Sequence, residues 1–241
     1  MVPVGVTDTA SRRDALVAFY HELSDCTKCP LAEGRTTVVF GTGDPDADLM
    51  FVGEAPGFNE DKQGKPFVGQ AGKLLDKLLD EIGMTRKDVF IANVLKCRPP
   101  GNRDPQPAEI EACEGHLFRQ IELIEPRVIC SLGNFATKLL SGSPQGITKV
   151  RGVPQLREIG GRNAFLYPIF HPAAALYTPA MLEQLRGDFA GLPKLLKEPL
   201  PGEQAPAQSP PPEPEPPSPP EPALAAVGAA ELPPADQLGL F

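Results

Sequence analysis

Apolar residues fall at helical spacing in several stretches of the chain and cluster at strand-like density in several shorter ones. In Ser11 to Leu23, the residues Leu16, Phe19, Tyr20 and Leu23 share one face, with Ser11 as the expected cap. From Gln70 to Ile82, Leu74, Leu75, Leu78, Leu79 and Ile82 form a stripe that Gly83 ends. Further helices are expected from about Ala108 to Ile124, Asn134 to Leu140 and Pro179 to Leu196. The runs Leu49–Val52, Val89–Leu95, Arg127–Ser131 and Phe165–Phe170 read as strands. Residues 58–69 read as a polar loop. Short apolar strands alternating with helices predict an α/β fold, with a mainly parallel sheet covered on both faces. Ligands of such sheets bind beyond the carboxyl ends of the strands. The loops after Val52, Leu95, Ser131 and Phe170 are therefore the places to look for chemistry. Strand order is not legible at this level.

Composition changes the picture near residue 200. The last 41 residues hold thirteen prolines, six acids and no lysine or arginine. Such a segment cannot bury enough apolar surface to offset its ordering entropy, so it is expected to be a disordered tail, partly polyproline II. The expected organisation is one folded domain over 1–200 and a tail over 201–241. The formal charge is −8 for the chain and −2 without the tail. A nearly neutral body can carry a local basic face, so the low pI does not exclude nucleic acid. No apolar run reaches membrane-spanning length and no signal peptide opens the chain, so no membrane partner is expected.

Five cysteines are present, an odd number that argues against a disulfide framework and for a reducing, cytoplasmic setting. Cys26 and Cys29 form a Cys-x2-Cys pair, while Cys97 and Cys113 come from well-separated segments. Four thiolates without a histidine ligand suit an iron–sulfur cluster or a structural zinc. The alternative is unrelated buried cysteines, and Cys130, inside an apolar run, fits that description.

Between these cysteines lie motifs suited to a small planar ligand. Gly53-Glu54-Ala55-Pro56-Gly57 forces a tight turn after the first strand, with Glu54, Glu60 and Asp61 close to it. Phe67, in a glycine-flanked loop, can stack on a base. Asn93 ends a buried strand, and its carboxamide presents one donor and one acceptor side, matching uracil O4 and N3–H. His171-Pro follows the last strand and can point into the crevice. Lys96, Arg98, Arg103, Lys149 and Arg151 are expected phosphate contacts, and Leu176 is expected to fill the gap left in a duplex.

Taken together, Gly53-Glu-Ala-Pro-Gly57, Lys65-Pro-Phe-Val-Gly69, Asn93 before Lys96-Cys-Arg-Pro99, and His171-Pro-Ala resemble the family 4, iron–sulfur uracil-DNA glycosylases. The match runs from about Cys26 to Leu195. The resemblance implies a three-layer α/β/α sandwich, a [4Fe–4S] cluster on Cys26, Cys29, Cys97 and Cys113, and monofunctional excision of uracil from single- or double-stranded DNA by a monomer. By position it implies that Gly53, Glu54 and Ala55 line the uracil site, Phe67 stacks on the base, Asn93 reads its amide edge and His171 faces O2. Ala55 stands where better-known uracil glycosylases carry an aspartate. The carboxylate role therefore falls to Glu54 or Glu60, with Glu54 ranked first and exclusion of the thymine methyl as the alternative role of Glu60. No inserted basic loop with a histidine lies between Cys97 and Cys113, which argues against the covalent variant of this chemistry.

Two other classes compete with this reading. An electron-transfer cluster protein would leave the base-shaped loops unexplained, and a DNA-binding scaffold would not need Glu54 and His171 together. The chain ends Gln237-Leu238-Gly239-Leu240-Phe241, which resembles the short peptide by which bacterial repair proteins bind the sliding clamp. Gln237, Leu238, Leu240 and Phe241 are the expected anchors.

Overall fold

Every residue of Leu49–Gly53 is buried, which requires cover on both faces of the sheet. Its side chains alternate accordingly. Leu49 and Phe51 pack with Leu75, Leu78 and Phe189, whereas Met50 and Val52 pack with Phe19, Leu117 and Ile121. The result is the three-layer α/β/α arrangement that the hydrophobic pattern and the family resemblance imply.

The computed structural model describes residues 9–201. The chain runs α1 (Thr9–Ser24), α2 (Leu31–Gly34), β1 (Thr42–Gly43), β2 (Leu49–Gly53), α3 (Phe58–Gln63), α4 (Gln70–Glu81), β3 (Phe90–Asn93) and α5 (Pro107–Ile124). It continues β4 (Val128–Leu132), α6 (Asn134–Ser141), α7 (Ile147–Val150), β5 (Gln155–Ile159), β6 (Arg162–Ile169), α8 (Pro172–Ala175) and α9 (Pro179–Leu195). Strand order is β1-β3-β2-β4-β6-β5. The inner pairs β2–β3, β2–β4 and β4–β6 are parallel, and only the edge pairs β1–β3 and β5–β6 are antiparallel.

From β2 the chain passes through α4 to β3 on one side, then through α5 to β4 on the other. The order thus reverses beside β2, and a crevice opens there at the carboxyl ends of the strands. In the register, Gly53 and Asn93 are partners at that edge. Beyond it, Val94 N–H donates to Gly53 O at 2.9 Å and Leu95 N–H to Glu54 O at 3.0 Å. These bonds hold the start of the glycine-rich turn against the end of β3.

Several expectations need adjusting. Ser11 lies inside α1 rather than capping it. The stretch expected to be a polar loop contains α3, begun at Gly57 and stopped by Gly64 at φ +67°. It has no apolar periodicity to announce it. Its buried Asp61 accepts from Thr36 N–H at 2.9 Å. The edge strands and α2, α7 and α8 are too short for any period to show. No helix among the described residues is long and apolar enough to cross a membrane. Apart from Pro201, the proline-rich tail and its last five residues lie outside the described residues.

Candidate active site

A cavity of about 190 Å³ opens at the crevice, lined by Ala55, Gly57, Glu60, Phe67, Ala71, Asn93 and His171. Gly53 lies behind it. A Cβ there would sit 2.4 Å from Asn93 Oδ1 and 2.7 Å from Phe67 Cζ, so only glycine leaves room for both side chains where they stand. Asn93 is 2 % exposed, and its carboxamide makes no hydrogen bond to protein among the described residues. A donor and an acceptor thus both face the cavity, left for a ligand or for water.

The Phe67 ring stacks on the His171 imidazole, with centroids 5.4 Å apart and planes 25° apart, forming one continuous aromatic wall. Phe67 holds φ at +54°, a conformation that costs a bulky residue about 1–3 kcal/mol. Three neighbours impose it. Glu60 Oε1 accepts from Val68 and Gly69 N–H, each at 2.9 Å. Arg86 donates to Pro66 O at 3.0 Å and to Phe67 O, and it pairs with Asp76. Gly72 supplies the space, because a Cβ there would lie 1.6 Å from Phe67 O. Arg86 and Gly72 were not singled out from the sequence. Arg86 acts on carbonyls about 20 residues earlier in the chain, and Gly72, inside α4, meets the Phe67 carbonyl only once the loop turns back on the helix.

His171 is the N-cap of α8, and its Nδ1 accepts from Ala173 N–H at 3.1 Å. Burial lowers its pKa to about 4, against a small opposing effect of the Glu60 charge. The ring is therefore neutral near pH 7, and with Nδ1 accepting, its proton sits on Nε2. That makes it a hydrogen-bond donor rather than a cation. Leu176, the expected gap-filler, is half-buried as the C-cap of α8, while the next residue, Tyr177, is 90 % exposed.

The two candidate carboxylates part company. Glu60 lines the cavity; Glu54 does not, and lies half-buried beside it. Burial, and then the negative charge of Asp104, raise the Glu54 pKa.

Cys26, Cys29, Cys97 and Cys113 do converge, on a second cavity that also includes Arg35, Lys96 and His116. Cys97 and Cys113 are buried and the first pair half-buried; all five cysteines are free thiols. Arg35 donates to Cys97 Sγ at 3.5 Å and Lys96 N–H to Cys113 Sγ at 3.3 Å. Contrary to the expectation of thiols without a histidine, His116 Nε2 lies 3.4 Å from Cys26 Sγ. It sits one helical turn past Cys113 on α5. Among the described residues no three His, Cys, Asp or Glu side chains are arranged to hold a single metal ion. Cys130, fully buried on β4, stands apart, its thiol pushed well up by burial.

The expected phosphate contacts divide. Lys96 is 1 % exposed and faces inward, Arg103 is paired with Glu109, and Arg151 with Asp188. Lys149 is exposed, and Arg98 is half-buried over the Phe58 ring.

The family model described as the uracil DNA glycosylase superfamily matches residues 40–190. A type-4 uracil-DNA glycosylase of Sulfurisphaera tokodaii is 47 % identical over 191 residues, covering 77 % of this chain and 87 % of that one. That of Saccharolobus solfataricus is 48 % identical, over 73 % of this chain and 84 % of its own. That of Archaeoglobus fulgidus is 44 % identical, over 76 % and 94 %.

Proposed function

The chain belongs to the uracil DNA glycosylase superfamily, and we propose that it hydrolyses the N-glycosidic bond of deoxyuridine in DNA, releasing uracil and leaving an abasic site in base excision repair. The observation that carries this reading is the unengaged Asn93 carboxamide, set beside the Phe67–His171 wall at the strand ends.

The target nucleotide is flipped from the helix, at a cost of a few kcal/mol that is least for mispaired or single-stranded DNA. Asn93 Nδ2–H donates to uracil O4 and its Oδ1 accepts from N3–H. As the C1′–N1 bond breaks, its electron pair moves onto uracil and positive charge grows on the sugar. His171 Nε2–H donates to O2, where part of that negative charge collects. A neutral donor suits the step because it stabilises the anion without first having to capture a proton. Water adds to C1′, and Glu54 accepts its proton; the raised pKa of Glu54 makes it a stronger base than an exposed carboxylate. Glu60, fixed by two backbone N–H groups, walls the cavity where a C5 methyl would press. Among the described residues no lysine lines the cavity, and the activity proposed is monofunctional, leaving the strand uncut.

Cys26, Cys29, Cys97 and Cys113 would hold a [4Fe–4S] cluster. The four thiols line one cavity, and four cysteine thiolates are the ligand set of such a cluster. Bound there, the cluster would cross-link the turn after α1, the end of β3 and α5. Free thiols suit a reducing, cytoplasmic setting. The final residues Gln237 to Phe241 would tether the enzyme to the sliding clamp.

Incubation with a uracil-containing oligonucleotide, followed by alkali, tests the activity. Alkali-labile breaks at uracil are expected, and their absence would overturn the assignment.

A further inference from the structure

Phe58 directly follows Gly57, a lining residue of the cavity, yet its ring is 48 % exposed. Lys62 Nζ lies 4.4 Å and Arg98 Cζ 5.0 Å from the ring centroid. The two cations come from different elements, α3 and the loop after β3, and the ring gathers them at the rim. Neither pairs with a carboxylate among the described residues. Arg98 spends only Nε, on Asn102 Oδ1 at 2.7 Å, which leaves its other N–H groups available. The platform is fixed, since α3 is anchored through Asp61 to Thr36 and through Glu60 to Val68 and Gly69. An exposed lysine and a half-buried arginine gathered by one aromatic ring suit a phosphodiester, whereas a stacked base would have to displace them.

We propose that Phe58, Lys62 and Arg98 form a phosphate-binding subsite for the DNA strand beside the flipped nucleotide. The proposal rests on the uracil-excision reading.

The test measures binding of the full-length protein to a uracil-containing single-stranded oligonucleotide across a salt series. Each phosphate contact on a single strand contributes about 0.7 to the slope of log K against log salt. The Lys62→Gln, Arg98→Gln double variant should lower that slope by about 1.4, with the loss in steady-state excision falling on KM rather than kcat. Phe58→Leu, which keeps both charges but loses the ring, should give a smaller drop. An unchanged slope in the double variant would overturn the subsite. Absence of excision by the unsubstituted protein would instead overturn the underlying reading.

A separate observation concerns Lys96. Its Nζ donates to Asn93 O at 2.8 Å and to Gln120 Oε1 at 2.5 Å, and Gln120 in turn donates to Phe40 O at 2.8 Å. Both partners of the ammonium are neutral, and no carboxylate pairs with it among the described residues. A buried cation left so costs several kcal/mol. Lys96 lines the cavity of the four thiols, its backbone N–H meets Cys113 Sγ at 3.3 Å, and Cys97 is the next residue.

We infer that Lys96 is a positioning residue: the buried counter-charge of the thiolate-bound cluster, which at the same time holds the Asn93 carbonyl and so ties the cluster to the base-reading end of β3. This rests on the cluster reading. Lys96→Met should release iron faster to a chelator than the unsubstituted protein and shift the cluster midpoint potential to more negative values, with Lys96→Arg restoring part of both. An iron-loaded Lys96→Met protein with unchanged potential and release rate would overturn the inference, whereas unsubstituted protein that binds no iron would overturn the cluster itself. Should Lys96→Met not fold, amide exchange of residues 93–97 in iron-loaded and iron-stripped protein decides. Slower exchange in the loaded form supports the tie, and equal rates overturn it.

Discussion

Arg86 holds Phe67 from behind: its guanidinium donates to the Phe67 carbonyl while the ring faces the cavity with φ at +54°. The relationship makes a surface arginine part of the base-stacking wall. Arg86→Ala should slow single-turnover excision while leaving the melting temperature nearly unchanged, since the pair it forms with Asp76 is partly exposed. Gly72→Ala should act more severely, because its methyl group would collide with Phe67 O. Full activity in both variants would show that the left-handed turn holds itself.

The imidazole of His171 is neutral above about pH 4, so it should contribute no limb to the pH–rate profile near the ordinary histidine value. Glu54, its pKa raised by burial, should set the acid limb. The rate falls as pH drops through that raised value, because a protonated acid accepts no proton from water. Glu54→Gln should lower the rate and remove the limb. His171→Ala should lower the single-turnover rate by roughly 10²–10⁴ without altering the limb. A limb at the histidine value that vanishes in His171→Ala would mean that the imidazolium is the working form.

Asn93→Asp places a carboxylate where uracil O4 needs a donor, and it should weaken uracil excision strongly. Unchanged activity would assign the reading to backbone groups of the turn.

Protein purified without air should be brown and hold about four irons per chain. Cys113→Ala should destabilise it more than Cys130→Ala, because Cys130 touches no other part of the centre. A colourless protein with one tightly bound zinc would overturn the cluster.

Deleting Gln237 to Phe241 should leave excision on short oligonucleotides intact and abolish binding to the cognate clamp. The proline-rich linker would raise the local concentration of the enzyme near replicated strands. Equal clamp binding with and without the five residues would assign them no such role.

The core elements were legible because their signals are local. The stripe of α4 records which face the helix buries, and the unbroken apolar run Leu49–Val52 records a strand covered on both faces, although which side chain meets which layer was decided by packing. The motifs at the strand ends were legible for the same reason: glycines, Asn93 and His171 announce unusual backbone or buried polarity one by one. What the tertiary structure alone decided was direction and partnership. Lys96 and Arg98 sit two residues apart in one basic motif, yet one side chain enters the core and the other meets Phe58 at the rim. Glu54 ranked ahead of Glu60 for the carboxylate role from the sequence, yet it is Glu60 that lines the cavity while Glu54 does not. Arg86 and His116 gave no sign at all, because their roles consist of contacts with residues far away in the chain, and Gly72 matters only because the left-handed turn at Phe67 brings a carbonyl onto its helix. Composition and spacing record what a residue is and how it repeats; which groups meet across loops is set by packing, and packing exists only once the chain has folded.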